Sequence, residues 1–311
     1  MTGSGTALAV DLGGTKVEAA LVDEAGMLLP GTRHRAPTGR DSTSQHLAAS
    51  VDEVVTRALA GIPRDAPLRG VGIGSAGPIT VAEGLVSPLN LPAWRDYPLR
   101  EQVAHLVAGT EVTLRMDGEC IAIAEHWVGA AIGIRNLMGM VVSTGIGGGL
   151  ILDGRAVAGP TGNAGHIGHV EVGGFDDACL CGGTGCLEAV ASGPHTVAWA
   201  QRRGWVGNRG EDLALSYTRG DPIAVAAVER AGRAIGQGIA SATALVDLEM
   251  VAIGGGFSRV TPDLFGYVRD AIDARSAFPF VTKVRVVASG LSDAGPLIGA
   301  GALVHRAHLV S

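Results

Sequence analysis

Apolar runs separated by glycine-rich turns recur along the chain, and the first pair begins near the N-terminus. Residues Ala7 to Val10 form an apolar run, residues 11–16 (DLGGTK) a glycine-rich turn, and Val17 to Val22 a second apolar run that ends in the turn sequence DEAG. This order predicts strand, turn, strand. A dinucleotide-binding fingerprint or a Walker P-loop needs a helix after the turn, and the stretch contains the sequence of neither motif.

The same arrangement returns near the middle of the chain. Residues Met140 to Ser143 predict a strand, residues Thr144 to Gly149 a turn, and residues Leu150 to Leu152 a second strand followed by Asp-Gly. Glycine lets backbone N–H groups approach a phosphate closely. One glycine-rich hairpin is usually only a turn, but two matching hairpins predict a duplicated architecture that holds one nucleotide from both sides.

Alternating strands and helices predict an α/β protein of two lobes, residues 1–115 and residues 116–291. We expect a helix at about residues 46–60 in the first lobe. A C-terminal helix, within residues 292–311, is expected to pack back on that lobe. The cleft between the lobes is the expected site, and its closure on substrate would exclude water.

Composition narrows the class of protein. The chain has 311 residues and a formal net charge of −6, and this charge argues against a nucleic-acid or anionic-membrane partner. The N-terminal sequence MTGSGTALAV lacks the basic and apolar regions of a signal peptide, and glycine or charge interrupts every long apolar run. These features predict a cytoplasmic protein.

Three of the four cysteines lie close together in the segment AGHIGHVEVGGFDDACLCGGTGCLE, residues 164–188. A reducing cytosol disfavours a disulfide among them. Cys179 and Cys181 form C-x-C rather than the C-x-x-C of oxidoreductases. The fourth cysteine, Cys120, lies in an apolar run and is predicted to be a buried, inert thiol.

The preferred interpretation of this segment is a metal site, and the alternative is a loop that binds no ligand. Cys179, Cys181 and Cys186 with one upstream histidine would make a closed Cys₃His set, which suits structural zinc. Spacing does not choose between His166 and His169. A closed set leaves no open position for chemistry, so the zinc would hold a loop and another group would react.

Asp117, in the sequence VTLRMDGECIAIAEHW, is the candidate reactive group. A strand predicted at Glu111 to Leu114 gives way there to a helix predicted at about Glu119 to Val128. Such a junction points a carboxylate into a cleft. On these residues alone, the preferred interpretation of Asp117 is an ordinary helix N-cap.

Four motifs, DLGGTK, STGIGGG, GNAGHIGH followed by CLCGGTGCLE, and VAIGGGFS, resemble in their order and spacing the ROK family of bacterial sugar kinases and related repressors. The resemblance covers nearly the whole chain, from Asp11 to Val304. It implies the two-lobed actin-like ATPase fold, which is ribonuclease H-like, with a zinc-binding loop. It also implies an ATP-dependent kinase that uses Mg²⁺, with Asp117 as the base for the attacking sugar hydroxyl.

The resemblance assigns further roles. It selects His169 as the zinc ligand beside Cys179, Cys181 and Cys186, and frees His166 to face the substrate. Sugar contacts are implied for the backbone near Gly77, for Asn90, for His169 and for Glu188; Asn90 could alternatively be a turn former. Nucleotide contacts are implied for Asp11, Gly13, Gly14, Thr15 and Lys16 on the phosphate and magnesium side, for Thr144, Gly145 and Gly147 at the second phosphate turn, and for Gly254, Gly255 and Gly256 beside the adenosine.

Two residues depart from the family pattern in the expected sugar pocket. Met116 replaces an Asn that binds sugar hydroxyls, and His166 replaces a Glu. Since methionine cannot pair a hydroxyl, glucose becomes a doubtful substrate, and a modified hexose or C7 cyclitol is favoured. The alternatives are an ordinary glucokinase and a non-catalytic sugar-binding regulator. A repressor would carry a helix-turn-helix before Asp11, for which we expect no room. Family members commonly form dimers or tetramers, so a homodimer or homotetramer is expected.

Overall fold

The strands alternate with helices along the chain, as the sequence predicts. The computed structural model describes residues 5–275, 277–291 and 293–310. The strands are β1 (Thr6–Leu12), β2 (Lys16–Val22), β3 (His34–Pro37), β4 (Leu68–Ser75), β5 (Ile79–Thr80), β6 (Leu85–Val86), β7 (Val112–Met116), β8 (Leu137–Val142), β9 (Ile146–Leu152), β10 (Arg155–Ala156), β11 (Met250–Gly254) and β12 (Arg285–Ala288).

The helices vary from a single turn to seven turns. They are α1 (Ser44–Leu59), α2 (Leu99–Leu106), α3 (Asp117–Val128), α4 (Leu187–Ala191), α5 (Gly193–Gln201), α6 (Gly210–Thr218), α7 (Pro222–Val246), α8 (Asp263–Asp273), α9 (Pro279–Thr282) and α10 (Gly295–His305). No helix in the described parts of the chain combines the length and the apolar character that crossing a bilayer requires.

The chain divides into two units. Unit 1 contains the described residues up to Gly133, Gly149–Gly165 and the described residues from Gly290 onward; unit 2 contains Ile134–Gly148 and the described residues of His166–Ser289. One sheet has the order β3-β2-β1-β4-β7, and the other has the order β10-β9-β8-β11-β12. Both mix parallel and antiparallel pairs. The predicted two-lobed α/β fold is confirmed, and the structure adds that it contains two five-stranded mixed sheets.

The core of unit 1 forms around β1, all of whose residues are buried. Helix α10 packs against β1, β4 and α3. Two glycines allow this approach: a Cβ on Gly72 would lie 1.8 Å from the Ala300 carbonyl oxygen, and one on Gly299 would lie 1.9 Å from that of Cys120. Because α10 is buried over most of its surface, its sequence is apolar on all sides.

Helix α7 is the longest helix in the described part of unit 2. Asp221 is its N-cap and accepts hydrogen bonds from the N–H groups of Ile223 and Ala224 at 2.9 Å each. Its apolar face packs on α8, where Gly236 comes so close that a Cβ would lie 2.4 Å from the Val268 carbonyl oxygen. Small residues therefore set the separation of these helices.

Both glycine hairpins are tighter than predicted. Asp11 and Leu12, predicted in the first turn, belong to β1, because Asp11 pairs with Glu18 and Leu12 with Val17. Likewise β9 begins at Ile146, so the glycines at positions 147–149 lie in a strand. Glycine alone does not show where strand pairing stops, which is why the predicted turns were too long.

Candidate functional site

The β1–β2 hairpin closes through a short turn in which the Gly13 N–H donates to the Lys16 carbonyl oxygen at 2.9 Å. The side chain of Asn90 packs on this turn, since a Cβ on Gly14 would lie 2.9 Å from the Asn90 Cβ. Asn90 also lies in a turn of its own, in which the Leu91 N–H donates to the Pro88 carbonyl oxygen at 3.1 Å. Both interpretations of Asn90, turn former and ligand contact, are compatible with this position.

Two carboxylates come close together at the ends of β1 and β7. Burial, and then the neighbouring charge of Asp117, raise the pKa of Asp11 to about 7, although Lys16 opposes the shift. Asp117 is the first residue of α3 rather than its N-cap, a position that Met116 occupies. Its carboxylate accepts a hydrogen bond from the Gly118 N–H at 2.7 Å. A divalent cation would relieve the repulsion between the two carboxylates.

Glu18 organises a cluster of positive charge beside this pair, and the sequence analysis missed it. Its side chain is 1 % exposed and forms ion pairs with Lys16, Arg33 and Arg35. Arg33 also pairs with Asp293 at 3.0 Å. Burial opposes the ionised form of Glu18, but hydrogen bonds from Arg33, Lys16 and Arg35 prevail and lower its pKa. The charged residues within the apolar strand β2 were the available clue.

Met116 is buried in the hydrophobic core of unit 1. Its side chain is 3 % exposed and clusters with residues such as Leu91 and Trp94. Core packing is therefore the role that the structure gives this side chain, and its predicted place in a sugar pocket stays a prediction. Gly77 follows β4 by two residues, and its carbonyl oxygen accepts a hydrogen bond from the Leu89 N–H at 3.2 Å.

The β8–β9 hairpin is held by a carboxylate from outside it. Glu188, in the first turn of α4, accepts a hydrogen bond from the Ile146 N–H through Oε2 at 2.8 Å. Gly145 permits this contact, because a Cβ there would lie 2.5 Å from the same oxygen. The Gly193 N–H at the start of α5 donates to the Ser143 carbonyl oxygen at 2.9 Å. Glu188 thus holds the β8–β9 turn in place, and its predicted contact with a sugar stays a prediction.

The third glycine motif follows β11. Gly255 has φ = +96°, a backbone conformation that favours glycine, and a Cβ there would lie 2.4 Å from the Val142 carbonyl oxygen. Its own carbonyl oxygen accepts from the Ser258 hydroxyl at 2.8 Å. This turn therefore packs directly against the end of β8 within unit 2.

The histidine and cysteine side chains converge as predicted. One ligand atom each from His169, Cys179, Cys181 and Cys186 lie within 4.8 Å of one another. Cys179 Sγ is 3.6 Å from His169 Nδ1, and Cys181 Sγ is 3.6 Å from Cys186 Sγ. A zinc–sulfur bond of about 2.3 Å in a tetrahedron places two sulfurs about 3.8 Å apart. The cluster therefore fits a zinc-binding motif, with Nδ1 of His169 as the nitrogen ligand.

His166 lies outside this cluster. It precedes the 3₁₀ turn Ile167–His169, and its ring centroid is 5.9 Å from that of His169.

The pKa of Cys186 is raised to about 12 by burial and by the neighbouring thiols. A bound cation would reverse this effect, because a metal stabilises the thiolate.

The predicted site residues are shared between the two units. Unit 1 contains the β1–β2 hairpin, unit 2 contains the turn of the β8–β9 hairpin, and each unit contains part of the predicted substrate contacts. Unit 1 contains Asp11, Gly13, Gly14, Thr15, Lys16, Gly77, Asn90, Met116 and Asp117, and unit 2 contains Thr144, Gly145, Gly147, His166, His169, Cys179, Cys181, Cys186, Glu188, Gly254, Gly255 and Gly256.

Comparisons with known proteins agree with this assembly of motifs. The family model described as "ROK family" matches residues 7–307. An N-acetylmannosamine kinase of Yersinia pseudotuberculosis serotype O:3 (strain YPIII) is 33 % identical over 308 residues, covering 98 % of this chain and 100 % of the relative.

Two solved structures are also similar over nearly all of the chain. A ROK family glucokinase from Streptomyces griseus, in complex with glucose and AMPPNP, has a TM-score of 0.84 at 28 % identity and covers 97 % of this chain and 100 % of its own. A ROK hexokinase from Thermus thermophilus has a TM-score of 0.81 at 31 % identity, covering 97 % and 99 %. Because the family model spans most of the sequence, this chain belongs to the ROK family.

Proposed function

We propose that the protein is an ATP-dependent kinase that phosphorylates a hydroxyl group of a hexose or hexose-like polyol. The observation that carries the proposal is the pair Asp11 and Asp117, whose mutual repulsion contributes to the raised pKa of Asp11. The relatives that align with this chain over their full length include an N-acetylmannosamine kinase. The similar glucokinase structure contains glucose and AMPPNP. Phosphoryl transfer needs mainly positioning, charge neutralisation and a group that accepts the hydroxyl proton.

In this proposal Asp117 orients the attacking hydroxyl and accepts its proton. Asp11 would hold Mg²⁺, and the ion would supply charge neutralisation at the phosphoryl group. The hairpin residues Gly13, Gly14, Thr15 and Lys16 bind phosphate oxygens, as do Thr144, Gly145 and Gly147 from the second hairpin, while Gly254, Gly255 and Gly256 line the adenosine.

Zinc has a structural role in this proposal. His169, Cys179, Cys181 and Cys186 would hold the ion, which supplies cross-linking of the loop rather than an open position for a substrate. His169 keeps Nε2 for a sugar hydroxyl, since Nδ1 faces Cys179. Glu188 follows the last cysteine by two residues, so the ordered loop also orients the β8–β9 hairpin.

The substrate itself is the finer part of the proposal. Met116 replaces the Asn and His166 replaces the Glu that ordinary family members have at these positions. Both replacements change the hydrogen-bond partners that are available to a sugar. Leaving one sugar hydroxyl unpaired costs about 1 to 3 kcal/mol, which is about tenfold or more in selectivity. We therefore infer that a modified hexose or C7 cyclitol, phosphorylated on its exocyclic primary hydroxyl, is preferred to glucose or N-acetylmannosamine. Gly77 and Asn90 complete the proposed sugar contacts.

An ADP-release assay tests both levels of the proposal. The purified protein is assayed with Mg·ATP over hexoses, amino sugars, deoxy sugars and C7 cyclitols, with Asp117→Asn as the blank. Asp117→Asn retains the shape of the side chain but not its basicity, so kcat should fall about a hundredfold or more. Turnover by the parent protein with none of these acceptors would refute the kinase assignment.

The same assay separates the substrate question from the kinase question. Highest kcat/KM with glucose would refute the inference from Met116 and His166 while leaving the kinase assignment intact. If glucose is a poor substrate, the double variant Met116→Asn/His166→Glu should restore it by about tenfold or more. Because Met116 is buried in the core, thermal melting of the double variant must be measured beside its activity.

A further inference from the structure

A cavity lies in unit 2, beside residues 174–176, which precede the cysteine loop. It has a volume of about 400 Å³. Three arginines line it, Arg203 after α5 and Arg230 and Arg233 on α7, and we call it the arginine pocket. Two aromatic rings, Phe175 and Trp199, form its walls. This volume falls within the range of small-molecule sites.

The guanidinium groups are held against the aromatic rings. The Arg203 guanidinium carbon lies 3.6 Å from the centroid of the Trp199 ring. Those of Arg230 and Arg233 lie 5.0 and 5.1 Å from the centroid of Phe175. Stacking on aromatic faces fixes the planes of these guanidinium groups and leaves their N–H edges available for hydrogen bonds.

The three arginines differ in their other contacts. Arg230 is 11 % exposed, forms an ion pair with Asp177 and donates to the Val190 carbonyl oxygen at 2.7 Å. In the described parts of the chain, neither Arg203 nor Arg233 forms an ion pair with a carboxylate; Arg203 donates to the Trp199 carbonyl oxygen at 3.4 Å. The pocket thus contains two guanidinium groups without an anionic partner in the described parts of the chain, beside a third that is largely buried and paired with Asp177.

The local charge favours an anion. Three arginines line the pocket against two carboxylates, Asp176 and Glu229, both of which are exposed. Asp177, just outside the lining, is already shared between Arg230 and Arg202, whose NH2 group lies 3.7 Å from it. Burial is the main cause that lowers the pKa of Arg230; Asp177 opposes it, and the neighbouring charges of Arg203 and Arg202 add to it.

We propose that the arginine pocket binds the phosphate group of a small phosphorylated metabolite. Arginine is suited to this task because its planar fork donates two parallel hydrogen bonds to phosphate oxygens. A cavity of this size accommodates a phosphate with a sugar-sized substituent. The pocket contains neither glycine hairpin, so this is a site separate from the proposed phosphoryl-transfer site. Its position gives it a route to the cysteine loop, because Arg230 holds Asp177 two residues before Cys179.

Calorimetric titration with inorganic phosphate tests the proposal. The full chain is first saturated with Mg·AMPPNP, so that the nucleotide site does not contribute. We expect saturable phosphate binding, weakened about tenfold or more in Arg203→Gln/Arg233→Gln. These two arginines are chosen because neither anchors Asp177 or Val190. The matched control, Arg219→Gln/Arg275→Gln, removes two exposed arginines of the same unit and should bind phosphate as the parent does.

Trp199 provides a second readout at the pocket. Phosphate that draws Arg203 away from the indole should change its fluorescence, and the change should disappear in Trp199→Phe. Absence of saturable binding, or equal binding by the two double variants, would overturn the proposal. A third outcome would also overturn it: the parent forms an oligomer but binds no phosphate, and the oligomer dissociates only in Arg203→Gln/Arg233→Gln. The pocket would then be an interface between copies of the chain.

A competition arm distinguishes the source of the phosphate. Glucose 6-phosphate, used as the hexose phosphate probe, should displace inorganic phosphate from the parent protein. Tighter binding of the hexose phosphate supports a sugar phosphate as the occupant, and tighter binding of inorganic phosphate supports the free ion. The assignment would be contradicted if glucose 6-phosphate displaces no inorganic phosphate and the binding of inorganic phosphate survives in Arg203→Gln/Arg233→Gln. None of these measurements depends on kinase activity, so the proposed function can fail independently.

Discussion

The two glycine hairpins have similar sequences but opposite electrostatics. The β1–β2 hairpin carries Asp11, Lys16 and Glu18, and buried carboxylates determine the charge around it. The β8–β9 hairpin contains no ionisable residue between Leu137 and Leu152. A carboxylate reaches it from Glu188, which accepts a backbone N–H. The same glycine pattern therefore presents charge in one hairpin and backbone donors in the other, and the neighbouring residues decide which.

Removing the charge of the first hairpin should have the largest effect. In Asp11→Asn the side chain keeps its size but loses the negative charge proposed to hold Mg²⁺. We expect kcat to fall about a hundredfold or more, with the Mg²⁺ concentration for half-maximal rate shifted upward. Steady-state rates over a range of Mg²⁺ concentrations measure both effects. Asp65→Asn, an exposed change in the same unit, is the control. Near-normal turnover of Asp11→Asn would refute the proposed role.

Disrupting the cysteine cluster should weaken the second hairpin without touching it. Cys181→Ser removes one ligand of the four, so the zinc content should fall from about one ion per chain. The loop that carries His169 and Glu188 would loosen, and the sugar KM should rise about tenfold. Elemental analysis and steady-state kinetics measure the two quantities. Cys120→Ala, at a cysteine outside the cluster, should keep its zinc. Folded parent protein without zinc would contradict the assignment.

The sequence predicted local features of the site better than distant ones. The cysteine cluster was predicted because three of its ligands lie within eight residues. Helix α10 was predicted because the apolar run at Gly295–His305 is long enough for a helix. The Glu18 cluster was missed because Arg33 and Arg35 reach Glu18 only through the pairing of β2 with β3. The sugar contact predicted for Glu188 stays a prediction, and its bond to the Ile146 N–H could not be predicted from sequence because it depends on tertiary packing.

Filling the space at the second hairpin should have a smaller effect than removing Asp11. In Gly145→Ala the new methyl group would meet Glu188 Oε2 at 2.5 Å, so the carboxylate or the turn must move. We expect kcat/KM for ATP to fall by up to about tenfold, because the backbone donors lose their alignment. Gly266→Ala in α8 is the matched control, since a Cβ there meets no atom within 4 Å. Unchanged kcat/KM in Gly145→Ala would show that the Glu188 contact does not position the turn.

Replacement of Glu119, two residues after Asp117 on α3, is expected to change stability rather than kcat, and it tests how far uncompensated charge extends along this helix. Glu119 is 1 % exposed, and neither of its oxygens has a hydrogen-bond partner among the residues that the structure describes; Arg115 Nε lies 3.5 Å away. Burial, opposed by Arg115, raises the pKa of Glu119 from 4.5 to about 7. Between these two values the folded protein binds more protons than the unfolded chain.

The consequence is a stability that decreases as the pH rises. Below the unfolded pKa the carboxyl is neutral in both states, and its contribution is lost as the pH rises through the folded value near 7. Glu119→Gln is neutral at every pH, so it should be close to the parent near pH 4.5 and exceed it by about 3 kcal/mol near pH 8. Urea unfolding at the two pH values measures the difference, and the contribution of Asp11 cancels because both proteins retain it. Glu101→Gln, at an exposed position in α2, should show no such difference. A gain in Glu119→Gln that is equal at both pH values would mean that Glu119 is ionised throughout, held by Arg115 despite its burial.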